Sequence, residues 1–338
     1  MRFGRCLIIA EAGVNHNGSL RLAKKLIHEA KRAGADAVKF QSFHAEKVVS
    51  RYALKAEYQI KTVSGPKTQL EMLQHLELNS KDHEALFAHA RKEKIQFLST
   101  AFDEGSVDLL DRLGISLFKI PSGEITNFPL MTHIAKKGKP IILSTGMSTL
   151  KEIGAALKII RKTNKEKVIL LHCVTEYPAP FDEINLKALV TMQKKFRLPV
   201  GYSDHTLGME IALGAVALGA SVIEKHFTLD RNMEGPDHKA SLDPREFKHM
   251  VQSIRTIESA LGDGIKRPSL SEKKNIPIVR RSVVAACNLF EGDRLQEKNI
   301  EIKRPGYGIQ PGDISKIIGR PVKCDIVKDS VITWKMVA

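Results

Sequence analysis

Short apolar runs alternate with amphipathic stretches from the start of the chain to about residue 262. The runs fall at 6–10, 36–40, 95–99, 117–120, 140–143, 168–172, 198–202 and 221–225. Their length and apolar content predict strands buried on both faces. Helical periodicity follows most of them. After the first run, Leu22, Ala23, Leu26, Ile27 and Ala30 share one face at the helical repeat. The last such helix opens on Asp243-Pro244 with Glu246 at the capping-box position. Its apolar face is Phe247, Met250, Val251, Ile254 and Ile257, and Gly262 stops it. Eight strand–helix units in roughly 260 residues match a (β/α)8 TIM barrel. A doubly wound sheet needs fewer strands and a Gly-x-Gly-x-x-Gly loop after the first, and residues 11–18 lack that spacing. The predicted fold class is therefore α/β: a TIM barrel over residues 1–262, followed by a small β-rich domain.

Two segments break the rhythm. Residues 41–68 form a long polar insertion, read either as a lid or as a surface excursion. Residues 263–279 turn to Gly, Lys, Pro and Ser and read as a linker. In the remaining stretch, 280–338, short β-like runs at Ser282–Ala286, Ile300–Lys303 and Val331–Lys335 are separated by turn residues.

Composition narrows the possible partners. The 338 residues are 43% hydrophobic and 27% charged, as in folded globular chains. Lys and Arg outnumber Asp and Glu by 53 − 38 = 15. Such an excess fits either an anionic partner or a lysine-rich surface. With no basic stripe carrying interleaved aromatics, and a single Trp, nucleic acid is not the expected partner. Four scattered cysteines (Cys6, Cys173, Cys287, Cys324) contain no Cys-x-x-Cys pair, which disfavours a disulfide framework or structural zinc and fits a reducing compartment. The first apolar run meets Glu11 at once, too soon for a signal peptide core or a membrane span, so a cytoplasmic location away from membranes is expected.

A barrel gathers the residues at its strand ends into one mouth. Lys39 and Lys119 sit inside apolar runs, where an unpaired ammonium is costly, so they call for an anionic partner. With Ser122, Ser144 and Ser203 they form a candidate anion cradle, although each serine taken singly also suits a helix N-cap. His205 and His226 end consecutive predicted strands beside carboxylates. They suggest an open metal site completed by water or substrate, Mn²⁺ or Zn²⁺ suiting imidazole with oxygen, against the alternative of satisfied core histidines. Glu11, Glu124 and Asp237 are candidates to move protons or hold hydroxyls, or are ordinary ion-pair partners of the lysines.

These residues, in this order, resemble the sialic acid synthase family. The resemblance is carried by 8–18, 34–41, 118–124, 142–147, 171–178, 201–206, 224–228 and 235–238, and by Lys-Arg-Pro-Gly-Tyr-Gly at 303–308, which is similar to the signature of that family's antifreeze-like (SAF) domain. It implies a metal-dependent condensation of phosphoenolpyruvate with an open-chain N-acetylmannosamine-type aminosugar, phosphate leaving with its bridging oxygen. It implies that Lys39, Lys119, Ser122, Ser144, Thr175 and Ser203 hold phosphoenolpyruvate, and that His205 and His226 bind Mn²⁺, or Mg²⁺ or Co²⁺. Glu124, Glu11 and Arg304 would be catalytic, and Glu11, Tyr177, Asp237 and Arg304 would hold the sugar, Arg304 by reaching the partner's site in a domain-swapped homodimer. Thr175 departs from the Asn or Ser of some members. Residues 55–59 and Ser64-Gly65 would border the distal end of the sugar and are nearer to neuraminate and legionaminate synthases than to pseudaminate synthases. The alternatives are a legionaminate-type acceptor (a 2,4-diacetamido-dideoxy-mannose), another phosphoenolpyruvate–aldose synthase, or a basic nucleic-acid or polysaccharide binder.

Overall fold

The computed structural model describes residues 5–65 and 68–338, with the side chains of Tyr58 and Lys61 set aside. Pro66 and Lys67, inside the predicted 41–68 insertion, lie outside the described residues, as does the Tyr58 side chain in 55–59. The chain divides into two units, Met1–Gly262 and Asp263–Ala338.

The first unit is a closed barrel of eight parallel strands in chain order. They are β1 (Leu7–Gly13), β2 (Ala37–Ser42), β3 (Gln96–Ala101), β4 (Phe118–Ile120), β5 (Ile141–Ser144), β6 (Val168–His172), β7 (Val200–Asp204) and β8 (Val222–His226). Closure is made by β8 on β1, with Glu11 opposite His226. A strand turns alternate residues to one face, and in a closed barrel that face is the lumen. Leu7, Ile9, Ala37, Leu98, Leu117, Ile142, Ile169, Leu171 and Val222 fill it as one buried cluster. Two residues further along, the same face becomes polar: Ile9 leads to Glu11, Ala37 to Lys39, Leu98 to Thr100, Leu117 to Lys119, Ile142 to Ser144 and Val222 to Glu224. Gly201 keeps β7 close enough to join this layer, because a Cβ there would lie 2.7 Å from Leu171 Cδ2 and from Val222 Cβ. Its successor at i+2 is Ser203.

The outer strand face packs on the helices. Leu20–Ala33 buries Ala23, Leu26, Ile27, Ala30 and Ala33, and the left-handed Gly34 ends it. Pro244–Leu261 starts as predicted: Asp243 accepts from the Arg245 and Glu246 N–H groups, and Phe247, Met250, Val251 and Ile254 are buried. Among the described residues no helix is long and apolar enough to cross a membrane.

The insertion holds two short helices, Ala45–Val48 and Glu57–Thr62, and a third, Gln69–Leu76, follows it directly. Phe43 and Ala45 of the insertion join Val14, Met72 and Leu76 in a small separate core. Ser64 bonds through its N–H (2.9 Å) and its hydroxyl to Glu234 Oε1, in the long segment after β8.

In the second unit, β9 (Ser282–Ala285) pairs antiparallel with β10 (Ile300–Lys303) over a core that includes Val283, Leu295, Ile309, Ile317 and Ile332. The third expected run is not a strand: Val331 makes one antiparallel bridge to Val284, and Trp334–Met336 is a 3-10 turn. Segment 263–279, expected as a linker, contains a helix, Leu270–Val279, opened by a Ser269–Glu272 capping box. That capping signal outweighs Pro277 within the helix, and none of its residues is buried.

His16, after β1, is buried, and its Nδ1 accepts the Gly18 N–H at 3.0 Å. Burial lowers it from 6.5 to about 4. The unfolded chain therefore takes up a proton that the folded chain refuses. The stability contributed by His16 is complete above pH 6.5 and is lost as the pH falls toward 4. Between pH 7.5 and pH 5, His16→Asn is expected to lose about 2 kcal/mol less than wild type in urea unfolding, and equal losses would contradict this.

Candidate functional site

The polar layer and the strand ends enclose a cavity of about 220 Å³, lined among others by Glu11, Lys39, Lys119, Ser122, Ser144, Thr175, Tyr177, Ser203, Glu224, His205 and His226. All of these were expected at the strand ends from sequence, Glu224 without an assigned role. Glu224 is the centre of the charge arrangement. Its Oε1 lies 3.1 Å from Lys119 Nζ and 3.7 Å from Lys39 Nζ, and accepts from Ser203 Oγ at 3.2 Å. Lys39 Nζ is 2.8 Å from Glu11 Oε2 and donates to Thr100 Oγ1 at 2.8 Å. All four charged side chains are buried.

The balance of burial against pairing sets each group. Burial pushes Glu11 up to about 7 in spite of Lys39. Burial also acts on Glu224, but the Lys119 and Lys39 ammoniums outweigh it and hold the carboxylate at about 2. Lys119 is lowered by burial, which Glu224 only partly offsets, whereas Lys39 is raised because Glu11 and Glu224 overcome its burial. Against these charges stand two buried hydroxyl oxygens without a hydrogen-bond partner, Ser144 Oγ and Thr175 Oγ1. Buried polar groups are normally satisfied, so unpartnered hydroxyls lining a cavity with two ammoniums mark a place for ligand oxygens. Ser122 Oγ is already engaged, accepting from Gly146 N–H at 2.9 Å and lying 3.1 Å from Cys173 Sγ.

The two imidazoles stand side by side, ring centroids 5.5 Å apart. Burial holds His205 at about 4, and burial followed by the neighbouring His205 holds His226 well below the usual range. Both are thus neutral, the form that ligates metals. His205 Nδ1 donates to Val174 O at 2.5 Å, so its Nε2 carries the lone pair, 3.2 Å from Tyr177 Oη. The Tyr177 ring stacks on His205 at 4.2 Å and meets His226 edge-on at 5.4 Å. His226 Nδ1 is buried without a hydrogen-bond partner, 3.8 Å from Asp237 Oδ2. Burial raises Asp237 to about 6. A pair of neutral rings, one with its lone pair toward the Tyr177 hydroxyl and one with an unpartnered Nδ1, suits a divalent ion. Among the described residues no group of three or more His, Cys, Asp or Glu is placed to hold one, so an ion here would rest on two protein ligands.

Some predicted placements differ. Glu124 does not line the cavity; it sits in the 3-10 turn Ser122–Glu124 and accepts from Asn127 Nδ2 at 2.6 Å. Asp204, between Ser203 and His205, faces the other way. It is fully buried and pairs with Lys225 Nζ at 2.8 Å, because strand alternation sends every second residue to the helix side. Arg304, in the second unit, is exposed and donates from Nε to Val279 O at 3.0 Å. Sequence reasoning passed over Glu224 as a binding-site centre and left out Gln41 and Phe102, which also line the cavity. The available signal was spacing: Glu224 lies two residues before His226 and so shares its face.

A closed parallel barrel with its charged pocket at the C-terminal strand ends defines a TIM-barrel enzyme. The NeuB family model matches residues 26–266 and the SAF domain model matches 280–338. The chain belongs to the NeuB family, and the expected sialic acid synthase resemblance with its terminal antifreeze-like domain is borne out. It is 55% identical to the N,N'-diacetyllegionaminic acid synthase of Campylobacter jejuni over 97% of this chain and 99% of that protein. It is 47% identical to the N,N'-diacetyllegionaminic acid synthase of Legionella pneumophila over 98% and 94% of the two chains. A crystal structure of the N-acetylneuraminic acid synthetase of Leptospira borgpetersenii, in complex with citrate, superposes with a TM-score of 0.72 at 38% identity, over 80% of this chain and 90% of that one.

Glu224 joins two buried ammoniums, so its neutral replacement leaves Lys119 without a paired carboxylate and Lys39 with Glu11 alone. Glu224→Gln is expected to cost roughly 3–5 kcal/mol in denaturant unfolding at pH 7, and a loss under about 1 kcal/mol would contradict the charge balance described.

Proposed function

We propose that this chain is a nonulosonic acid synthase that condenses phosphoenolpyruvate with an N-acetylated mannosamine-type aminosugar. The observation that carries the reading is the pairing, in one cavity, of two lysines and two unpartnered hydroxyls with two neutral imidazoles. In the proposed reaction the enol carbon bonds to the sugar aldehyde carbon. A water oxygen adds at the neighbouring carbon, and the bond from that carbon to the bridging oxygen breaks, releasing phosphate.

Lys39 and Lys119 draw in the dianion and exchange part of their pairing with Glu11 and Glu224 for its oxygens. Ser144 and Thr175 donate to those oxygens, with Ser122 and Ser203 beside them. Glu11, poised near neutrality by burial, is placed to take a proton from the attacking water. Tyr177 and Asp237 would border the side where the sugar enters, while Glu124, held by Asn127 off the cavity wall, would act only if substrate binding turned it inward. His205 and His226 would hold a divalent ion, Mn²⁺ with Mg²⁺ and Co²⁺ as alternatives, which supplies Lewis-acid polarisation of the aldehyde when bound. The insertion, held to Glu234 through Ser64, would serve as a cover that limits loss of the reactive intermediate.

The likeness to two proteins named N,N'-diacetyllegionaminic acid synthase favours a 2,4-diacetamido-dideoxy-mannose as the acceptor over N-acetylmannosamine. A phosphate-release assay with phosphoenolpyruvate, Mn²⁺ and a panel of aminosugars, with products weighed by mass spectrometry, tests this. The diacetamido sugar is expected to exceed N-acetylmannosamine in kcat/KM by about 10-fold or more, because a site built for an amide rejects its absence. In the same assay His226→Ala should fall by about 10³-fold or more with its fold retained. Release with no aminosugar in the panel would overturn the reading.

Arg304 is proposed to act on the barrel of a second subunit in a homodimer. Arg304→Ala should lower turnover, and mixing it with Lys119→Met should restore part of it through hybrid dimers. Failure to restore any turnover in a demonstrably exchanged mixture would remove the shared site.

A further inference from the structure

The ion pair between Asp204 and Lys225 lies on the far side of the strands from the cavity and takes no part in the chemistry described above. Both side chains are fully buried. Lys225 Nζ donates to Asp204 Oδ2 at 2.8 Å and to Thr206 O at 2.5 Å. The other oxygen of Asp204 accepts the Thr206 N–H at 2.9 Å and the Thr206 hydroxyl at 2.7 Å. The residue enclosed by this ring of bonds is His205, between Asp204 and Thr206. The residue following the lysine is His226. Asp204 stands opposite Lys225 in the register of β7 on β8, just as Ser203 stands opposite Glu224.

We propose that the Asp204–Lys225 pair is a positioning device for the two imidazoles, fixing their separation and directions so that both address one cation. The inference rests on the reading that His205 and His226 share such an ion. A strand end is where β pairing stops and the chain is free to splay. At β7 the backbone leaves the sheet after Asp204, one residue before the imidazole that must face its neighbour. The Lys225 ammonium reaches across this gap and holds the carbonyl of Thr206, on the far side of His205. Bending at His205 therefore requires breaking a buried charge-assisted bond. On the cavity side, His205 Nδ1 donates to Val174 O, which completes the fixing of that ring. An apolar pair would pack β7 on β8 but would not tie down the residues around His205. An ionic tie behind a ligand pair thus serves geometry rather than net stability, in the way that partners outside a metal's ligand set orient the ligands.

The test compares metal-free wild type with the double variant Asp204→Asn, Lys225→Met, titrated with Mn²⁺ alone by isothermal calorimetry. The double variant removes both buried charges together, and the amide introduced by Asp204→Asn keeps an acceptor for Thr206. Its circular dichroism and melting temperature should stay near wild type, whereas its Kd for Mn²⁺ should rise by about 10-fold or more. A folded variant with a Kd within about twofold of wild type would overturn the positioning role while leaving the ligand reading intact. A wild type that takes up no Mn²⁺ would overturn the ligand reading and the positioning inference with it. If the double variant fails to fold, the apolar pair Asp204→Leu, Lys225→Met replaces it. That variant packs β7 on β8 without the ionic tie; weaker Mn²⁺ binding by folded protein supports the role, and unchanged binding overturns it.

Discussion

Two ammonium groups in the mouth of a closed barrel need counter-charge, and most of the site follows from how it is supplied. Lys39 and Lys119 are both buried, so neither is stable without a carboxylate at hand. Glu224 serves both lysines, and Glu11 serves Lys39. This draws β1, β2, β4 and β8 to one charged centre at the top of the lumen. The two carboxylates are not equivalent. Glu224, near both ammoniums, is firmly ionised, whereas burial leaves Glu11 close to neutrality. Under the proposed function, an arriving dianion would meet positive charge that is balanced but exchangeable, and a carboxyl group able to change protonation state.

The division between apolar lumen and polar mouth comes from strand periodicity. One step of two residues converts the packed layer into the reactive one on strand after strand. The lower layer therefore fixes where the upper side chains begin, and the site inherits the rigidity of the core. Behind the mouth, the helix side of β7 and β8 carries the Asp204–Lys225 pair where apolar residues would suffice for packing. Charged groups thus stand on both faces of the same two strand ends, Glu224 toward the cavity and the Asp204–Lys225 pair toward the helices.

The eight strands were legible in the sequence because buried parallel strands read as apolar runs, and the capping residues of Pro244–Leu261 marked that helix outright. The strand ends were less legible. The apolar runs stop at 202 and 225, but β7 and β8 continue to Asp204 and His226, because the barrel goes on pairing through its polar layer. Residues standing at strand ends were found: the lysines, the serines and the histidines. What the sequence did not disclose was partnership. That Glu224 would serve two lysines from other strands depends on barrel register, and that Asp204 would turn away from His205 depends on where the strand ends. The motif around Glu124 puts that residue in the site, yet the 3-10 turn and Asn127 hold it off the cavity wall. The helix within 263–279 was hidden by a composition typical of linkers, although Ser269 and Glu272 spelled its cap.

The central claim is that His205 and His226 together grip one divalent ion beside the lysine cradle. Anomalous diffraction from crystals soaked in Mn²⁺, recorded at the manganese edge, tests it without recourse to turnover. The account predicts a single strong peak between the two rings, lost in His205→Ala crystals. A peak elsewhere with none between the rings, or full occupancy that survives loss of His205, would contradict it.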